Sequence, residues 1–137
     1  MALALEITAT FFRLRAAGKR IGAVTPSGGG ILGMLRSLAL EGPQTVPQIA
    51  RSRPVARQHI QRPANEAEAE GLIEFVDNPA HRRSKLMRIT PEGENLYGEL
   101  MGRMAGFSEE LASGMDAGAI AEATEVLRQF REKLGEG

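Results

Sequence analysis

Cysteine is missing from all 137 residues. Its absence removes disulfide frameworks, cysteine-rich zinc sites and thiol redox sensing together, and it suits a reducing cytoplasm. Long apolar runs are missing as well: no stretch approaches about 18 residues, so no membrane span is expected. The first residues, Met1-Ala2-Leu3-Ala4-Leu5-Glu6-Ile7, are apolar but have no basic flank. Glu6 interrupts them and Arg13 follows with no cleavage-like site, which argues against a signal peptide. Gly28-Gly29-Gly30 has no preceding strand and no following Gly-Lys-Ser/Thr, so it is not expected to cradle phosphate. The two histidines, His59 and His81, have no cysteine and no helical partner four residues away, so no metal is expected. Tyr97 and the scattered glutamates form no nucleophile or acid–base pair, and neither an enzyme nor a cofactor is expected.

What is present suits one globular domain. The chain is 42% hydrophobic and 25% charged, ordinary values for a protein that buries its own core. The zero net charge conceals an uneven distribution. Residues 1–50 hold five basic and two acidic side chains, residues 51–88 eight and five, and residues 89–137 four and ten. Within residues 51–88 two basic stretches contain no acid: 51–62, with Arg51, Arg53, Arg57 and Arg62, and 82–88, with Arg82, Arg83, Lys85 and Arg88. Attraction to phosphate follows such local clusters, not the whole-chain sum.

Periodicity predicts a helix over 3–22, with Ile7, Phe11, Leu14, Gly18 and Ile21 on one stripe. Thr25-Pro26 has the form of a helix start, and the helix it opens would carry Ile31, Leu32, Leu35, Leu38 and Ala39 to a stop at Gly42-Pro43. Thr45-Val46 reads as a strand stub, and Pro47 opens a short helix over 47–52. A longer helix is expected from about Ala56 to Glu70, ending at Gly71. Leu72–Val76 and Lys85–Ile89 read as strands joined by the polar loop Asp77–Ser84. Thr90-Pro91-Glu92 caps the next helix, with Leu96, Leu100, Met104, Phe107 and Leu111 on one stripe. A last helix from about Asp116 carries Ile120, Leu127, Phe130 and Leu134.

The segment from Val46 to Arg62 has the pattern of a helix-turn-helix. Such a unit needs a small residue where the helices cross, apolar residues on the facing sides and a tight turn. Ala50 meets the first need, Ile49, Val55 and Ile60 the second, and Pro54 the third. The opposite face of the second helix then presents Arg57, Gln58, Gln61 and Arg62. Arginine can pair with guanine and glutamine with adenine, so these are candidate base-reading residues.

Gly42 to Gly93 resembles the MarR (multiple antibiotic resistance regulator) family. The resemblance is carried by Thr45-Val46-Pro47-Gln48-Ile49-Ala50, Glu70-Gly71-Leu72-Ile73-Glu74, Asp77–Arg83 and Leu86–Gly93. It implies a mainly α fold with a small β-hairpin: a winged helix-turn-helix over 26–90, flanked by dimerisation helices over 1–24 and 91–137. It also implies a cytoplasmic homodimeric regulator of transcription, a repressor by family habit, on pseudo-palindromic double-stranded DNA, with room for a small-molecule effector. By the same resemblance Arg57, Gln58, Gln61 and Arg62 enter the major groove, Arg82 and Arg83 sit at the wing, and Asp77 orients a wing arginine.

The recognition helix departs from that pattern. Ala56 stands where a serine cap is usual, and Pro63, Ala64 and Ala67 replace large aliphatics. Proline in a helix interior lacks the N–H that would bond the carbonyl of His59, at about 3 kcal/mol. A kink or break is therefore expected near 60–63, relieved by Pro63→Leu. A reshaped helix leaves open a second reading, a winged-helix protein–protein interaction module without an operator.

Overall fold

The computed structural model describes residues 1–23, 30–53 and 55–135. The order is α1 (Ala2–Arg20), α2 (Leu32–Glu41), α3 (Val46–Ser52), α4 (Gln58–Ala69), β1 (Ile73–Val76), β2 (Leu86–Ile89), α5 (Pro91–Ala112) and α6 (Ala117–Gly135). This is the expected winged helix-turn-helix order. The chain divides into two compact units, Met1–Arg103 and Met104–Gly137.

In the first unit, α2, α3, α4 and the hairpin share one core. Met34, Leu35, Ile49, Ile73, Met87 and Leu100 are fully buried and are its largest members. Ala50, Ala64 and Ala67 are buried among them, and side chains this small let helices approach closely. α1 ends in a paired-bond motif, with Gly22 N–H on the Lys19 carbonyl and Ala23 N–H on that of Gly18. Gly22 supplies the left-handed residue, φ 78°, that this motif requires. Arg103 Nη1 donates to the Ile21 carbonyl at 3.0 Å, satisfying another group at the end of α1.

Several local expectations change. The helix start at Thr25-Pro26 lies outside the described residues, and α2 begins at Leu32, not within the glycines. Thr45-Val46 is no strand stub. Thr45 is the N-cap of α3, its hydroxyl accepting from Gln48 N–H while the Gln48 side chain accepts from Thr45 N–H. This reciprocal cap satisfies two helix-end donors. The bridge falls one residue earlier, at Gln44, which pairs with Met87. Val55 is 40% exposed and does not face the helix crossing. Its N–H is held by the Ala50 carbonyl at 3.2 Å, so it serves the turn through its backbone. Pro54 lies outside the described residues. The N-cap of α4 is Arg57, not Ala56, and no side chain caps it.

The break expected near 60–63 does not occur. α4 runs uninterrupted over Gln58–Ala69 with Pro63 inside it. Pro63 is buried on the same face as Ile60, Ala64 and Ala67, so the ring takes a core position that a larger aliphatic would otherwise fill. Packing along the whole face holds the helix against the local cost of the proline.

β1 and β2 pair antiparallel in the register Ile73↔Ile89 to Val76↔Leu86. Thr90 joins the hairpin to α5: its hydroxyl donates to the Gly71 carbonyl at 2.6 Å and accepts from Gly93 N–H at 3.1 Å. Gly93 is a glycine by necessity. A Cβ there would strike the Leu72 carbonyl oxygen and lie 2.8 Å from Ile89 Cγ1.

In the second unit, Asp116 caps α6 by accepting from Ala119 N–H at 2.8 Å. α6 has no buried residue; Val126, Leu127, Phe130 and Leu134 are all exposed.

Candidate nucleic-acid interface

α4 is amphipathic by position. At 3.6 residues per turn, Gln58 and Arg62 lie opposite the buried face made by Ile60, Pro63, Ala64 and Ala67. Arg57 and Gln61, also four apart, lie on the flank that faces the hairpin. All four side chains are exposed. Gln61 Nε2 donates to Asn65 Oδ1 one turn further on, at 2.8 Å. The start of α4 has no side-chain cap and no acid in its first turn, so Arg57 adds to the positive end of the helix. The His59 and Ile60 N–H groups are taken by the Ala56 and Arg57 carbonyls at 3.0 Å, so it is the positive charge at that end that favours an anion.

The hairpin loop owes its shape to its own residues. Asn78 begins a turn, its Oδ1 accepting from Ala80 N–H at 3.0 Å and its carbonyl from His81 N–H at 3.2 Å. Pro79 follows it, the residue most suited to the second turn position. A second turn closes from Ser84 N–H to the His81 carbonyl at 3.3 Å, with Arg82 and Arg83 at its centre. Both arginines are therefore carried outward at the wing tip, exposed to solvent.

Between α4 and the wing lies an open cleft of about 530 Å³. Arg57, Gln61, Asn65 and Glu68 line it from the helix, and Arg83 and Lys85 from the hairpin. Three cations and two amides thus face one another across the cleft, with a single carboxylate among them.

Not every basic residue of the two acid-free stretches is available. The Arg53 guanidinium donates to the Gly33 carbonyl and, at 3.2 Å, to Ser37 Oγ, tying the helix-turn-helix turn to α2. Burial lowers its pKa, opposed by Glu41 and reinforced by Arg36. Arg88 is paired across the sheet with Glu74, Nη2 to Oε1 at 2.6 Å. Among the described residues, Arg51, Arg57, Arg62, Arg82, Arg83 and Lys85 form no ion pair. Asp77 is exposed and, among the described residues, forms no ion pair; the acid holding an arginine in the hairpin is Glu74. The Glu74–Arg88 pair was readable as opposite charges at mirrored strand positions. The Arg53 clasp reaches back twenty residues and has no sequence signal.

A profile of the MarR family matches residues 32–84. The Uncharacterized protein Rv2011c of Mycobacterium tuberculosis is 34% identical over 96 residues, 70% of this chain and 67% of that one. The crystal structure of the MarR family transcription regulator SP03579 is 25% identical, covers 98% of this chain and 93% of its own, and superposes with a TM-score of 0.73. Bordetella bronchiseptica BpsR, whose DNA binding is regulated by 6-hydroxynicotinic acid, is similar in fold, with a TM-score of 0.78 at 16% identity over 96% of this chain and 99% of that one. With the helix order, the wing and the matched stretch in agreement, the chain belongs to the MarR family of winged-helix transcription regulators.

Proposed function

We propose that the protein is a homodimeric, sequence-specific DNA-binding repressor of the cytoplasm, occupying a pseudo-palindromic operator. One observation carries the reading: Gln58 and Arg62 opposite the core-facing side of α4, and Arg57 and Gln61 on its flank toward the hairpin, are all exposed beside a wing tip bearing Arg82 and Arg83. In this reading α4 enters the major groove, where arginine and glutamine distinguish bases, and the wing arginines take the adjoining minor groove and phosphates.

Each unit separately supports a dimer. α1 exposes Leu3, Leu5, Phe11, Phe12 and Leu14, and α6 exposes Val126, Leu127, Phe130 and Leu134. Apolar surface of this kind marks a covered face. Two recognition helices related by a two-fold axis would meet half-sites about 34–36 Å apart. A small-molecule effector, of the kind named for BpsR, would release DNA by binding more tightly to a state with a different separation of the reading heads.

The test is a mobility-shift titration on palindromic duplexes over a range of salt. Affinity should fall steeply as salt rises, and Arg82→Ala with Arg83→Ala, which removes the pair from both protomers, should reduce the logarithmic slope by about three to four. Absence of salt-dependent duplex binding sinks the proposal and leaves the interaction module standing.

A further inference from the structure

We infer that Asn65 is a positioning residue for base readout: it holds the Gln61 amide so that the protein selects adenine at one position of each half-site. The inference rests on the DNA-binding reading above and adds to it a specificity that the exposed glutamine alone does not supply.

Gln61 is exposed in the N-terminal half of α4, the half that lies nearest base edges when a recognition helix enters the major groove. A glutamine free to rotate discriminates poorly. Its amino group can donate to N7 of either purine, and its oxygen can turn away from any acceptor it meets. Asn65 removes that freedom. Asn65 Oδ1, which can only accept, takes one hydrogen of Gln61 Nε2 at 2.8 Å. The amide edge facing Asn65 is therefore the nitrogen, and Oε1 with the second Nε2 hydrogen remains for a partner. That remaining pair, one acceptor beside one donor, matches adenine, which offers the N6 amino group and N7. Guanine offers O6 and N7, both acceptors, and sets O6 against Gln61 Oε1. Cytosine satisfies only the oxygen, and thymine only the nitrogen. Both amides line the cleft between α4 and the wing, so DNA seated against Arg57 and Arg83 would lie against them.

The experiment is selection of bound sites from a random duplex pool, with the full-length protein and three variants. The parent should enrich adenine at one position per half-site. Asn65→Ala should lower that preference about tenfold while leaving other positions and the salt slope unchanged. The unchanged positions also report that the variant is folded. Asn65→Asp keeps the acceptor, so it should retain the adenine preference while binding every duplex more weakly through its added negative charge. Gln61→Ala should erase the preference at the same position. An Asn65→Ala site identical to that of the parent overturns the inference, as does a Gln61→Ala site that keeps every adenine, and in both cases the DNA-binding reading survives. A parent that enriches no sequence overturns that reading and the inference with it.

Discussion

α4 buries its apolar stripe of Ile60, Pro63, Ala64 and Ala67, whereas α6 leaves Val126, Leu127, Phe130 and Leu134 exposed. None of the nineteen residues of α6 is buried, against four of the twelve in α4. Side-chain size therefore does not decide burial here; what each helix has to lie against does. α4 closes a core contained within the first unit and is held by it. An isolated helix with nothing to pack on is only marginally stable in water, so the exposed apolar face of α6 is where the proposed dimer would add packing.

The severest way to break this comparison is to place charge on the exposed apolar face of α6. Fully burying one such side chain contributes about 1.5–3 kcal/mol, and Leu127 and Phe130, 45% and 42% exposed, leave roughly half of that for each. Over the four side chains of a dimer, Leu127→Asp with Phe130→Asp should therefore cost about 3–6 kcal/mol before counting desolvation of the carboxylates. Sedimentation should then report a monomer, and operator affinity should fall more than about a hundredfold at fixed protein concentration. A dimer that survives both charges removes α6 from the interface.

Gly93→Ala attacks the other side of the comparison, the closed core. The new Cβ would meet the Leu72 carbonyl oxygen, a backbone atom with no rotamer to yield, and Ile89 Cγ1. Overpacking of this kind costs about 1–3 kcal/mol, and contact with backbone puts it at the upper end. Denaturant melting should show the loss, with the midpoint lowered at unchanged slope.

Arg53→Met is next in size. It removes charged hydrogen bonds to Gly33 and Ser37 while keeping much of the aliphatic stem. The half-buried setting reduces the usual value for charged bonds to about 1–2 kcal/mol. Arg51→Met, exposed at the end of α3, is the control and should leave stability within about 0.5 kcal/mol. Equal effects at the two positions would mean that the clasp does not tie the turn to α2.

The fold was largely legible because its signals are local. The Thr45–Gln48 cap, Gly71 after α4, the Asn78-Pro79 turn and Thr90 before α5 each involve residues within a few positions of one another, and all stand where helix and turn chemistry puts them. Thr45 was misread, since a β-branched residue beside Val46 resembles a strand as much as a cap. Val55, the start of α4 and the break expected at Pro63 were misread too, because packing decides them. The site was legible as a set of exposed polar residues on one helix face and one loop. Which arginines are already occupied was legible only in part. Arg53 looks like Arg51 in sequence, and only its three-dimensional partners on α2 separate them, whereas Arg88 is marked by the Glu74 opposite it in the hairpin.

Pro63 is where local and tertiary terms conflict, and the smallest expected effect comes from their near balance. Restoring an N–H to α4 relieves up to about 3 kcal/mol. Pro63→Leu gives that relief but adds volume beside Ala64 and Ala67, both essentially without solvent exposure, and overpacking returns about 1–3 kcal/mol of it. Pro63→Ala gives the same relief and leaves a void instead. The ring's lost methylenes cost about 0.8 kcal/mol each, and the unfolded chain gains about 0.4–1 kcal/mol of conformational freedom. The alanine variant should therefore melt within about 1 kcal/mol of the parent by denaturant titration. A gain above about 2 kcal/mol would show that α4 is strained at His59. A comparable loss would show that the proline ring is itself a principal core contact, and that this helix is held by packing where its sequence would end it.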